Sequence, residues 1–192
     1  MAKIDKKKLI AETKKAREEA LKKEAFSVAN RILEEEKVKY INDIKTHPIS
    51  QELANGPTSE NISKTLDGPG NLFSFIGFNE GENPVQDLVD IIDRNTTIKQ
   101  VLSKDETFKF EVLTPSLDEL KSVTPMPFEG GNSWLKGIEN GISGFTNYLY
   151  GLMFPNSRSG KAIQIKNKLR RTNYRPTKYF SLFYTKFLKS FR

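Results

Sequence analysis

The sequence has no cysteine and a single histidine, His47. Without cysteine there is neither a disulfide framework nor a thiolate site, which suits a reducing cytoplasm. A lone histidine lacks the partners that metal or triad chemistry needs. No apolar run approaches the ~18–20 residues that cross a bilayer. The opening residues, MAKIDKKKLIAETKKAREEA, lack the apolar stretch of a secretory signal. A soluble chain without membrane contact is expected. Apolar residues are also sparse, at 36 %. Thirteen Phe partly compensate, because each buried ring removes a large area from water. At 192 residues the chain can form one core, with room for an extension.

Acid is missing from residues 158–192, which hold eleven Lys and Arg residues. The preceding residues hold the other twenty basic residues against all twenty-four acids, so they net −4, and +11 − 4 gives the overall +7. The same terminal stretch carries Phe180, Phe183, Tyr184, Phe187, Leu188 and Phe191 at i, i+3, i+4, i+7, i+8 and i+11. That spacing predicts a helix burying one side. A basic, aromatic-faced terminus on a mildly acidic body points to docking rather than to chemistry.

Earlier in the chain, residues 3–24 are rich in Lys, Glu and Ala, with Glu18–Lys22 and Glu19–Lys23 in the favourable i,i+4 order. Leu9, Ile10 and Leu21 form no continuous stripe there, so 1–24 is expected to be a solvated, charged helical arm. From residue 25 onward a single α+β domain is expected. Phe26, Ala29, Leu33, Tyr40 and Ile44 share one helical face, with Lys37 filling a gap, and Pro48 stops the helix by pushing His47 out of αR. Residues 51–81 read as one long loop, punctuated by Asn55-Gly56-Pro57 and Asp67-Gly68-Pro69-Gly70. Its plug Leu72-Phe73-Ser74-Phe75-Ile76-Gly77-Phe78 is too apolar to stay in water, so the loop should be ordered.

Asn83-Pro84-Val85-Gln86 is a helix start, with Asn as N-cap and Pro in the first turn. Val85, Leu88, Val89 and Ile92 then make its apolar stripe. Phe108, Phe110 and Val112 alternate with Thr107, Lys109 and Glu111, the pattern of a half-buried strand. Residues 116–123 read as one or two helical turns ended by Pro125 and Pro127. Residues 133–153 read as a short helix, a break near Gly141–Gly144 and a second short segment. Ile163, Ile165 and Leu169 predict another strand. The expected fold is α+β: a small β-sheet packed with helices, a long N-terminal helix and a C-terminal amphipathic helix.

Chemical motifs fail on inspection. Gly160-Lys161 lacks the phosphate-loop glycine five residues before Gly160, where Pro155 stands, and has Ala162 in place of Ser or Thr. Ser133-Trp134-Leu135-Lys136 has the Ser-x-x-Lys spacing without its companion motifs. The expectation is no enzyme, no catalytic residue, no cofactor and no metal. The residues expected to dock partners are Arg170, Arg171, Tyr174 and Arg175, then Phe180, Phe183, Phe187 and Phe191, with Phe73 and Phe75 of the apolar plug. The basic, aromatic mixture fits an acidic protein surface, where Arg and aromatics are favoured. It also fits a nucleic-acid backbone with stacked bases.

Three stretches carry a family resemblance. The first joins His47-Pro48-Ile49-Ser50-Gln51-Glu52-Leu53 to Gly68-Pro69-Gly70-Asn71-Leu72-Phe73-Ser74-Phe75-Ile76-Gly77-Phe78. The second is Thr124-Pro125-Met126-Pro127-Phe128 with the Ser133–Gly144 segment. The third is Ser157-Arg158-Ser159-Gly160-Lys161-Ala162-Ile163-Gln164 with Arg175-Pro176-Thr177-Lys178-Tyr179. In these the chain resembles virion proteins of tailed bacteriophages from the neck or tail-completion group, including tail-terminator-like minor tail components. The resemblance implies an α+β subunit of a homo-oligomeric ring between head and tail, made in the bacterial cytoplasm and carried in the virion. It implies portal-side neck proteins and tail tube proteins as partners, with DNA in the channel as a further candidate, and neither cofactor nor reaction. A nucleic-acid-binding protein using the basic terminal arm is the rival reading, and another capsid or baseplate component is a third.

Overall fold

The computed structural model describes residues 6–66, 70–104, 107–127, 132–140, 148–150, 162–164 and 177–192. Helix α1, Lys6–Thr46, is the spine. At 1.5 Å per residue its 41 residues extend roughly 60 Å. Every side chain described before Ala25 is exposed. From there inward Leu33, Tyr40 and Ile44 are buried, so α1 becomes core-facing where the apolar face begins.

Within the expected loop at 51–81 lie the end of one helix, a 3₁₀ turn and a second short helix, while residues 59–66 and 77–81 are irregular. His47 leaves the helix at φ −66°, ψ 139°, as a residue before proline should. Pro48 then opens α2, Pro48–Ala54, at once. A proline that ends one helix suits the first turn of the next, where its missing N–H has no partner to lose. The Nδ1 of His47 caps α2 by accepting from the Ile49 N–H at 3.3 Å. A 3₁₀ turn follows at Gly56–Thr58. Helix α3, Leu72–Ile76, is capped by Asn71, whose Oδ1 accepts from the Ser74 N–H at 2.8 Å, and it ends at Gly77 with φ +92°. The plug is ordered as expected, with Leu72, Phe73 and Ile76 fully buried.

Helix α4, Pro84–Asn95, starts on the Asn83 cap and buries Val85, Leu88, Val89 and Ile92. It leads into an antiparallel hairpin of β1, Thr97–Lys104, and β2, Thr107–Leu113. On β2 the residues Phe108, Phe110 and Val112 are half-buried and their neighbours exposed, as the alternation predicts. Its partner β1 was not legible: the register shifts between Gln100 and Leu102, and this bulge interrupts the alternation.

Helix α5, Leu117–Ser122, begins with a reciprocal cap between Ser116 and Glu119. Helix α6, Trp134–Asn140, buries Trp134, Leu135 and Ile138. Strands β3, Tyr148–Tyr150, and β4, Ala162–Gln164, form a second two-stranded antiparallel pair. The expected break at Gly141–Gly144 and the continuation of the strand to Leu169 lie outside the described residues. Helix α7, Phe180–Lys189, closes the fold. The protein is α+β: mostly helical, with small antiparallel sheets, a long N-terminal helix and a C-terminal amphipathic one. Among the described residues no helix is long and apolar enough to cross a membrane.

Candidate interaction surfaces

The terminal stripe packs back onto α1. Tyr179 and Phe183 meet His47 at 4.9 and 5.5 Å between ring centres, and Phe187 stacks on Tyr40 at 4.7 Å. Lys186 reaches Asp43 at 2.5 Å. Rising numbers on α7 meet falling numbers on α1, so the two helices run antiparallel. Phe180 and Phe187 are buried, while Phe183, Tyr184, Leu188 and Phe191 are partly buried against the same core. The stripe therefore closes this chain's own fold, and the buried rings of Phe180 and Phe187 are not available to a partner. Phe73 is likewise enclosed and Phe75 is half-buried. Arg170, Arg171, Tyr174 and Arg175 lie outside the described residues.

The joint between α2 and α7 is polar as well as aromatic. The hydroxyl of Tyr179, wholly enclosed, hydrogen-bonds Ser50. The Ser181 N–H, in the first turn of α7, donates to a Glu139 carboxylate oxygen at 2.6 Å, and the Thr177 N–H donates to the Ile138 carbonyl at 3.1 Å. Burial pushes the Tyr179 phenol up, and it lowers the pKa of His47 by penalising the imidazolium. His47 thus works as a helix cap and ring partner. Tyr40 is also pushed up by burial, and its hydroxyl has no hydrogen-bond partner among the described residues.

Two charged groups hold the body together: Lys37, expected on the apolar face of α1, and Glu52, for which no structural role was expected. Lys37 is almost buried and reaches Glu34 and Asp93, each at 3.0 Å, joining α1 to α4. Burial pulls its pKa down, but hydrogen bonds to Glu34 and Asp93 outweigh this and leave it raised. Glu52 is fully buried. One of its oxygens accepts from the Ser63 N–H at 2.7 Å and the other from the Leu72 N–H at 2.5 Å. Asn71 supports the same segment by donating to the Pro57 and Ser59 carbonyls. A clue was present in Glu52 itself, an acid between apolar Leu53 and the Ile49 turn, but its partners lie far along the chain.

Among the described residues the exposed surface includes an arm, a hairpin face and two grooves. Along α1, Leu9, Ile10, Leu21, Phe26, Val28, Ile32 and Val38 are exposed, and so are Val101 at the bulge and Leu182 on α7. One groove of about 320 Å³ lies among Phe78, Met126, Pro127 and Trp134, with Glu82 and Asp87 beside them. Another of about 450 Å³ is lined by Ile91, Asn95, Leu113 and Glu119. Among the described residues no group of three His, Cys, Asp or Glu side chains is placed to hold a metal ion. The arrangement offers surfaces for contact. Comparison with protein families, with curated proteins and with solved structures returns no match.

Proposed function

We propose that the chain is a structural virion protein of a tailed bacteriophage, a neck or tail-completion ring subunit that joins tail to head around the DNA channel. The observation that carries this reading is the pair of unlike surfaces on one body. The hairpin with its bulged, exposed Val101 supplies one face, and the groove among Phe78, Met126, Pro127 and Trp134 supplies a different one. A ring contact is heterologous and needs two different patches, and closure of the rotation limits its growth. The three stretches resembling neck and tail-completion proteins support the same reading. Residues 165–176 add basic charge suited to acidic neighbours.

The test uses a tailed phage that encodes the chain. Mass spectrometry of purified particles is expected to find it, and a nonsense mutation in its gene is expected to leave DNA-filled heads and unattached tails. Infectious particles lacking the protein would overturn the proposal. Binding of the purified chain to arbitrary duplex, falling steeply between ~50 and 200 mM salt, would favour the nucleic-acid reading instead.

A further inference from the structure

We infer that two copies of the chain pair through α1, antiparallel and centred on Leu21. The unbroken helix brings together residues that looked scattered in two halves of different composition. At 100° per residue Ile10, Leu21, Val28 and Ile32 fall within about 40° of one another, roughly 130° round the helix from the face of Leu33, Tyr40 and Ile44. All four are exposed. Ala25, half-buried, lies on the same stripe. The hairpin packs on the other side, through Phe26 against Phe110 at 6.1 Å between ring centres. The stripe is therefore an open face along a projecting helix.

The spacing is symmetric about Leu21. Ile10 stands eleven residues before it and Ile32 eleven after. In an antiparallel pair with Leu21 on the two-fold axis, Ile10 of each copy meets Ile32 of the other, and Leu21 meets its own equivalent. Lys14 and Arg17 stand opposite Val28 and Ala25 of the second copy, where their methylene stems can cover small apolar side chains. The intervals of four, three and four on either side of Leu21 make an eleven-residue period, which gives the pair a slight right-handed supercoil.

Charge chooses both the occupant and the direction. Lys6, Lys7 and Lys8 precede Leu21 by fifteen, fourteen and thirteen residues, and Glu34, Glu35 and Glu36 follow it by thirteen, fourteen and fifteen. The antiparallel pair sets each lysine run against the second copy's glutamate run. A parallel pair would set lysine against lysine and glutamate against glutamate. Of the three glutamates Glu35 lies beside the stripe at 100° per residue, while Glu34 is turned to the body side and meets Lys37 there. The contact is isologous, unlike the heterologous contact of a ring, and it stands or falls without the ring reading.

The absence of cysteine makes the test direct. Ile10→Cys and Ile32→Cys are made singly in exposed positions and oxidised alone or mixed. The mixture is expected to give a disulfide-linked dimer, and Ile10→Cys alone is expected to stay monomeric on a denaturing gel. Leu21→Glu, with its circular dichroism unchanged, is expected to weaken the wild-type dimer at least tenfold in sedimentation equilibrium. Self-linking of Ile10→Cys as fast as the mixture would mean a parallel pair and overturn the proposal. So would a mixture that fails to link while the wild type sediments as a monomer at ~100 μM, a concentration well above a micromolar Kd.

Discussion

Replacing Glu52 by Gln tests whether one buried carboxylate fastens the chain between α2 and α3. Each carboxylate oxygen accepts one backbone N–H, that of Ser63 at 2.7 Å and that of Leu72 at 2.5 Å. Gln preserves the shape but turns one acceptor into a donor. Leu72 is fully buried and Ser63 only partly so. The amide oxygen should therefore turn to the Leu72 N–H and leave the Ser63 N–H to water. A hydrogen bond to a charged group contributes roughly 1.5–3 kcal/mol, and the loss of one is offset in part because the buried charge, and its desolvation cost, also disappears. The expected destabilisation is about 1–3 kcal/mol. At ~2–4 °C per kcal/mol for a chain of this size, Tm should drop by roughly 2–12 °C. Glu52→Ala should lose more, because Leu72 N–H is then buried without an acceptor. Thermal and urea unfolding measure the loss, and hydrogen exchange locates it: the Ser63 amide should lose protection in the Gln variant while Leu72 keeps its own. Unchanged Tm together with unchanged exchange at Ser63 would refute the reasoning.

Three other outcomes follow from the α1–α7 joint. Tyr40→Phe removes a buried hydroxyl that has no partner among the described residues, so it should stabilise the protein by about 1 kcal/mol in urea unfolding; a loss of that size would show that the hydroxyl is satisfied after all. Phe187→Ala empties the site stacked on Tyr40 and should cost about 3–5 kcal/mol. Leu182→Ser, on the exposed side of α7, should stay within ~0.5 kcal/mol. For His47 the folded pKa lies below the ordinary value because burial opposes the charged ring. Below about pH 6.5 the unfolded chain then binds more protons than the folded one, so stability falls as pH drops from there toward the folded pKa. His47→Asn keeps a cap acceptor without a titrating ring. Stability curves from pH 7.5 to 5 should slope less for it than for the wild type, and equal slopes would remove His47 as the cause.

Local rules reached as far as the elements whose signals are local. The Asn83 cap, the alternation of Phe108, Phe110 and Val112, and the spacing of the terminal Phe residues each depend on neighbours within a few positions, and each appears where those neighbours put it. Pro48 misled because the same residue serves a stop and a start, and only the His47 Nδ1 bond to Ile49 decides that a helix resumes. Strand β1 was hidden by a one-residue bulge. Glu52 was hidden because its two donors lie eleven and twenty residues away. The docking role expected of Phe180 and Phe187 met a similar limit, since an amphipathic stripe states that a face is covered and not by what. Tyr40 and His47 cover it here. The arm shows the reverse. Ile10 and Leu21 made no stripe while the helix was divided at the change in composition near Ala25, and they make one with Val28 and Ile32 once α1 is continuous. A helix face that its own fold leaves bare, bounded by lysines at one end and glutamates at the other, is best completed by its own reverse.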